Sequence, residues 1–461
     1  MTWNLKSPNQ IQWNLFVWMV ALSVVVNKIR WQGGAVGELG LQNYLEFAVF
    51  FVASFTLIVP HKSSVQLLFS AITLTELILR YPFLQNHEVI LVLVALAIVL
   101  TSFSQVLSVA QKSRGVIAKG QEVLGFAMNA IRIAFVILYL GAGVSKWNSG
   151  FVSTSLDSCA YVLFDRGFGG YFSWLNWSGQ IWWAIGVAAI ETAIPLLLMF
   201  QKSRTAGLLV AVFFHFAVSA HPDVPGLGFS FVIYAALILF LPTSALSKYD
   251  PARWVSLVRG VRHVLQAALA IGLMVLGVWV FFLAEGRSQF LFFWVPISLL
   301  TLELLLLTAF AFARAPLPIR REPNSRRPSQ TILAAIAVAI VAQPYVGLST
   351  TPVMTMYSNL RTEAGVSNHF FIPERIWTTR QDDLLVIEDS TDPYLHSLMA
   401  EGFAISRHEL SRLAANQVLQ VASPLENETR WTSYAVPELN WVEAKLLGFR
   451  HVSYGTEKCQ W

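Results

Sequence analysis

Charge is scarce in this chain. Asp, Glu, Lys and Arg make up 13% of 461 residues, about half the share usual in soluble domains, and 55% of the residues are hydrophobic. So little charge excludes an ordinary soluble globular protein of this length. Cysteine is nearly absent: there are two, Cys159 and Cys459, and neither a CxxC nor an HExxH occurs, so the usual metal-ligand spacings are missing. Internal repeats are missing too, and the one biased tract is the basic, proline-bearing loop RAPLPIRREPNSRRP at 314–328, which reads as a linker.

What the chain has in quantity is long apolar runs. A helix needs about 20 apolar residues to cross about 30 Å of hydrocarbon. Eleven segments approach that length, at about 12–28, 45–60, 64–80, 89–110, 123–144, 180–200, 204–220, 226–242, 263–284, 289–312 and 329–344. The first lacks the short core and small-residue cleavage site of a signal peptide and is expected to be retained. The fold class is therefore an all-α polytopic membrane bundle of about 9–11 transmembrane helices.

Lysine and arginine favour the cytoplasmic side in short loops. With the N-terminus inside, the inner segments hold sixteen of them, and the outer short loops hold six: Lys28, Arg30, Arg80, Lys146, Arg166 and Arg287. The net charge of +5 is thus mainly a topology signal, and a nucleic-acid partner is not expected. Near residue 345 the apolar runs stop, and alternating stretches such as DDLLVIED appear. The expected domains are a helical membrane region, 1–344, and a small extracytoplasmic α+β or β-rich region, 345–461, on the outer side with both cysteines. An outer compartment permits a Cys159–Cys459 disulfide, and two unpaired thiols are the alternative.

Ionisable groups within apolar spans are costly, and so point to function. By helical rise, Arg132, Glu191 and His215 all fall near the middle of their spans, as expected of a mutually paired cluster that either locks helices together or lines a polar pocket. Glu76 and Glu303 are further carboxylates at such depth, without an evident partner. Lys146, in LYLGAGVSKW, sits where a span ends. Either it snorkels to anchor that end, or partial burial frees its amine to act as a base. The small residues before it permit close helix or substrate approach, and Tyr139 and Trp147 offer aromatic faces for a flat ring. In the tail, Asn359, Arg361, Glu363 and His369 crowd into one short stretch with Ser358 and Asn368. This is either a hydrogen-bonded loop or a site for a carboxylate or phosphate.

The segment RIAFVILYLGAGVSKWNSGFVSTSL and the following IWWAIGVAAIETAIPLLLMFQKSRTAGLLVAVFFHFAVSAHPDVPGLGFSFVIY resemble the core of the HTTM superfamily over about residues 125–245. The resemblance rests on Ala142, Gly143 and Lys146; Glu191 and Pro195; Lys202 and Arg204; His215; and Phe229 with Ser230. The best-known members are the vitamin K-dependent gamma-carboxylases. The resemblance implies Lys146 as the base that deprotonates a reduced naphthoquinone or other quinol. Depth and side-chain chemistry add the other expected site residues, His215 in catalysis and Arg132, Tyr139, Trp147 and Glu191 around the cofactor. Oxygen, carbon dioxide and an outer-face protein, peptide or small-molecule substrate complete that chemistry, and no metal takes part. The chain departs from the eukaryotic pattern of two adjacent lysines, having Ser145 before Lys146, and its tail is shorter than their luminal region. The layout is closest to bacterial variants, hence an expected bacterial cytoplasmic membrane with lipid and quinone as partners. A non-catalytic membrane protein for binding, immunity or lipid handling, or a DoxX-like quinone-linked oxidoreductase, are the alternative functions.

Overall fold

The apolar runs fold here as helices, even across Pro195 and Pro344. In the computed structural model, which describes residues 8–31, 41–110, 116–164, 181–219, 226–241, 328–355, 357–364, 367–372, 381–390, 392–423, 432–453 and 458–459, they are α1 (Pro8–Trp31), α2 (Leu41–Ile58), α3 (Ser63–Arg80), α4 (Asn86–Ala110), α5 (Val116–Ser145), the short α6 (Cys159–Phe164), α7 (Ile181–Met199), α8 (Arg204–Ser219), α9 (Gly226–Ile238) and α10 (Pro328–Val346). The expected spans at 263–284 and 289–312, and Glu303, lie outside the described residues. Among the described residues, four helical stretches are long and apolar enough to cross a membrane, Asn9–Lys28, Asn86–Phe103, Val123–Ser145 and Ile181–Met199, and four shorter apolar helices accompany them.

Helix α3 belongs to neither group, and several of its polar residues are turned inward. Gln66, Ser70, Thr73 and Glu76 are buried, whereas Leu68, Ile78 and Leu79 are more than half exposed. Apolar-out, polar-in packing is what lipid surroundings favour.

The described chain divides into two compact units. The first comprises 1–79, 90–136 and 194–336. Its centre is α1, which packs on α2 and α9. The Gln12 amide reaches the carbonyls of Ile238, Leu239 and Leu241 at 2.8–3.0 Å, satisfying groups that the end of α9 leaves free. The Lys28 ammonium, 2.9 Å from Glu76 and 3.9 Å from Glu46, supplies the partner that the sequence left open for Glu76.

The second unit comprises 80–89, 137–193 and 337–461. Its tail forms a five-stranded antiparallel sheet, ordered β4-β3-β1-β2-β5. The strands are β1 (Leu384–Ile387), β2 (Phe403–Ser406), β3 (Val418–Ala422), β4 (Thr432–Ala435) and β5 (Val452–Ser453), with helices α11 (Pro393–Ala400), α12 (Arg407–Ala414) and α13 (Trp441–Leu446) between them. DDLLVIED supplies β1. Leu385, Ile387, Leu395, Phe403, Ile405, Leu410 and Val421 share one core. Ser406 caps α12 through the Glu409 N–H, and Asp392 caps α11 through the N–H groups of Tyr394 and Leu395, each satisfying donors that a first helical turn leaves free.

Candidate functional site

Lys146 follows the last residue of α5, and side chains at a helix end lean back along the helix. The amine is carried inward: the residue is 3% exposed, with Nζ 2.6 Å from Glu191 Oε2 and 5.7 Å from the centre of the Phe151 ring. Glu191 comes from the middle of α7, and Gly143 allows the approach. A Cβ at Gly143 would lie 2.7–2.9 Å from the Glu191 and Thr192 backbone, so only glycine lets the helices touch there. Gly141 is likewise pressed against Val341 of α10. The small residues before Lys146 thus serve close helix contact. Tyr139, buried two turns earlier on the same face of α5, and Trp147, whose indole N–H donates to Thr192 Oγ1 at 3.0 Å, flank the lysine along the chain.

The structure gives Glu191 a partner that depth alone did not name, Lys146. Arg132 donates to the Leu239 carbonyl at 2.6 Å and to Asn129 Oδ1 at 2.8 Å. His215 is fully buried, with its ring 5.3 Å from that of Phe229 and its carbonyl accepting from Ser230 Oγ at 3.2 Å. Arg132 and His215 belong to the first unit, while Lys146, Tyr139, Trp147 and Glu191 belong to the second. Helical rise fixes height, but not the direction in which a side chain points.

Beyond Lys146 the chain turns on Asn148, which the sequence reading passed over. Its Oδ1 accepts from the N–H groups of Gly150 and Phe151 at 2.9 Å and from Asn368 Nδ2 at 3.3 Å. Its Nδ2 donates to the carbonyls of Ser145 and Ser358 at 2.7 and 2.6 Å. The first pair of bonds is an Asx turn, and the N-S-G triplet after Trp147 was the available signal. The tail segment lies alongside: Ser149 N–H donates to Asn368 O at 3.1 Å and Phe370 N–H to Trp147 O at 3.0 Å.

The four tail candidates are engaged within the fold. Asn359, in the left-handed region at φ 52°, donates to Gly150 O at 3.2 Å. Arg361 donates to Ser453 Oγ at 2.6 Å, and Glu363 holds Arg450 at 3.0 Å, a partner that the sequence reading also missed. His369 Nε2 donates to Val144 O at 3.0 Å while Nδ1 accepts from the Phe371 N–H at 3.1 Å, which fixes the neutral tautomer. Burial lowers its pKa below the usual imidazole range, against the opposing pull of the Val144 carbonyl. Of the two open outcomes for the cysteines, the structure has the disulfide: Cys159 and Cys459 are joined across 300 residues, and Cys459 N–H donates to Asp157 O at 2.7 Å.

No curated protein and no solved structure matches this chain. The family model described as the HTTM domain matches residues 36–244, a stretch that runs from before α2 to beyond α9 and carries Lys146, Glu191 and His215.

Proposed function

We propose that this is a membrane enzyme of the gamma-carboxylase type, with Lys146 as its base and Glu191 as the group that holds or returns the proton of Lys146. The observation that carries the reading is the buried Lys146–Glu191 pair, 2.6 Å apart. Ammonium with carboxylate, and amine with carboxylic acid, are the same atoms with one proton moved across the 2.6 Å between Nζ and Oε2. Burial penalises only the charged arrangement, so the pair has a short route to the neutral amine that a solvated lysine lacks at neutral pH.

The surroundings suit a flat aromatic hydroxyl compound. Phe151 and Tyr139 bring rings to the buried amine and its helix, and Trp147 is oriented by Thr192. A reduced naphthoquinone or related quinol bound there would supply the acidic hydroxyl, and its oxidation by oxygen to the epoxide and water would generate the base that takes a proton from an outer-face substrate, whose carbanion would then add carbon dioxide. The protein's part is to keep water from the amine and hold one proton between Nζ and Oε2. The lysine and arginine count supports an N-terminus inside and a tail outside, and the resemblance in layout to bacterial HTTM variants supports a bacterial cytoplasmic membrane.

One observation favours a second reading. Because Gly143 lets α5 touch α7 beside the pair, the ion pair can serve as a helix tie in a non-catalytic protein built on the same scaffold. Oxygen-dependent formation of a quinone epoxide by the purified chain in lipid decides between them. We expect product from the wild type and none from Lys146→Arg, which keeps the charge but cannot act as a base. Equal product from both sinks the base, and product from neither, with the fold verified, favours the tie.

A further inference from the structure

We propose that α13 is an interfacial anchor, its apolar arc lying among lipid headgroups and upper acyl chains at the level where α10 ends. None of its six residues is buried; Trp441 is 77%, Val442 51% and Leu446 58% exposed. At about 100° per residue, Trp441, Lys445, Val442 and Leu446 fall within an arc of about 140°. Glu443 lies outside it and is tied down: its N–H donates to Asn440 Oδ1 at 2.9 Å, and its carboxylate accepts from Asn440 Nδ2 at 2.7 Å. An arc with a tryptophan, two aliphatics and one lysine, and its acid turned away, is the composition of a headgroup-level helix. The indole sits at the boundary, and the lysine stem lies along the apolar layer with its ammonium reaching water.

The fold pins this helix to the place where a bilayer boundary is expected. Two residues beyond Leu446, the Gly448 carbonyl accepts from Ser349 Oγ at 2.7 Å and from the N–H groups of Thr350 and Thr351 at 2.9 and 3.2 Å. Ser349 lies just past Val346, the last residue of α10. Next to it, Arg450 N–H donates to Thr350 Oγ1 at 2.9 Å. A Cβ at Gly448 would come within 2.9 Å of Pro82 Cβ, in the turn between Arg80 and Asn86. The α10 end, the α3–α4 turn and the α13 end therefore meet at one level, where Phe83 and Leu348 are also exposed, at 61% and 38%. Ends of apolar helices are where aromatic belts sit, so lipid, rather than a second copy or a partner protein, is the occupant that continues this surface.

Collision measurements on spin-labelled full-length protein in phosphatidylcholine–phosphatidylglycerol vesicles test the anchor. The native cysteines are paired, so an added cysteine is the reactive thiol. We expect labels at Trp441→Cys, Val442→Cys and Leu446→Cys to collide more with dissolved oxygen than with a water-soluble nickel chelate, and Glu443→Cys to show the reverse order. Nickel-dominated collisions at all four positions, or exclusion of both agents at the first three, overturn the proposal in favour of a bare or a protein-covered face. Val338→Cys, on an exposed residue of α10, is the control. Nickel-dominated collisions there remove membrane embedding, and with it the anchor; oxygen dominance there confines a negative result to α13.

Discussion

The two compact units each hold a buried lysine–glutamate pair, and the first also brings a second carboxylate, Glu46, near its amine. In the first unit, Lys28 has Glu76 at 2.9 Å and Glu46 at 3.9 Å. In the second, Lys146 has Glu191 at 2.6 Å. Moving a proton from Lys28 to Glu76 would leave Glu46 charged beside a neutral amine, so the first cluster has reason to keep its ammonium and serves to hold α1, α2 and α3 together. The same movement in the second pair removes both charges at once. A buried lysine is therefore not of itself a candidate base; the carboxylates around it decide.

Lysine-to-alanine substitution separates the two clusters most widely. Lys28→Ala leaves two carboxylates facing each other, one of them 1% exposed, and is expected to cost about 3–5 kcal/mol. Lys146→Ala leaves Glu191, which protonation neutralises, and is expected to cost less than half as much. Thermal unfolding in lipid, followed by tryptophan fluorescence, measures both, and equal losses would erase the distinction. Activity should show the opposite ranking: Lys146→Arg is expected to lose about 10²–10⁴-fold in quinol turnover, the usual worth of a general base, whereas Lys28→Arg should retain it.

Acid is a way to weaken the second unit through its tail. His451 packs on the Phe403 ring at 4.5 Å and accepts from Tyr394 Oη at 3.3 Å through Nδ1. Burial, reinforced by the Arg450 guanidinium, lowers its pKa to about 4 from the usual 6.5. The unfolded chain then binds a proton in a range where the folded chain does not. Stability is full above about pH 6.5 and falls as pH drops through the window toward 4, by about 2–3 kcal/mol in total. Unfolding midpoints measured across that window should slope for the wild type and slope less for His451→Gln, with His369 keeping its own share.

Much of this was legible in the sequence, and what was missed has a common cause. Apolar runs gave the helices, alternation gave β1, and the position of Lys146 at a span end marked it as a candidate. Depth counting also picked out Glu191, but did not name Lys146 as its partner, because rise along an axis says nothing about which way a side chain faces. The Glu76 partner, Lys28, escaped for a related reason: it was counted as an outer-loop charge, while the structure carries its stem inward until it is 8% exposed. Arg450 lies 87 residues beyond Glu363, and no local pattern announces a contact across that distance. Only the sulfur pair, being the chain's two cysteines, could be named in advance as one of two outcomes.

Glycine sharpens the comparison at the smallest scale, because two glycines near the second pair have opposite surroundings. At Gly143 an added Cβ meets the α7 backbone at 2.7–2.9 Å; at Gly186, within α7 itself, nothing lies within 4 Å. Backbone cannot swing aside as a side chain can, so Gly143→Ala must push α5 and α7 apart. The expected cost is about 1–3 kcal/mol, together with a longer Lys146–Glu191 separation and loss of whatever activity the pair supports. Gly186→Ala adds a methyl group in open space and removes the entropy that a helical glycine costs, so it should stabilise by about 0.5–1 kcal/mol. If Gly143→Ala melts like Gly186→Ala and leaves turnover unchanged, close approach of the helices is not what holds Lys146 against Glu191, and the pair must then form through the Asn148 turn alone.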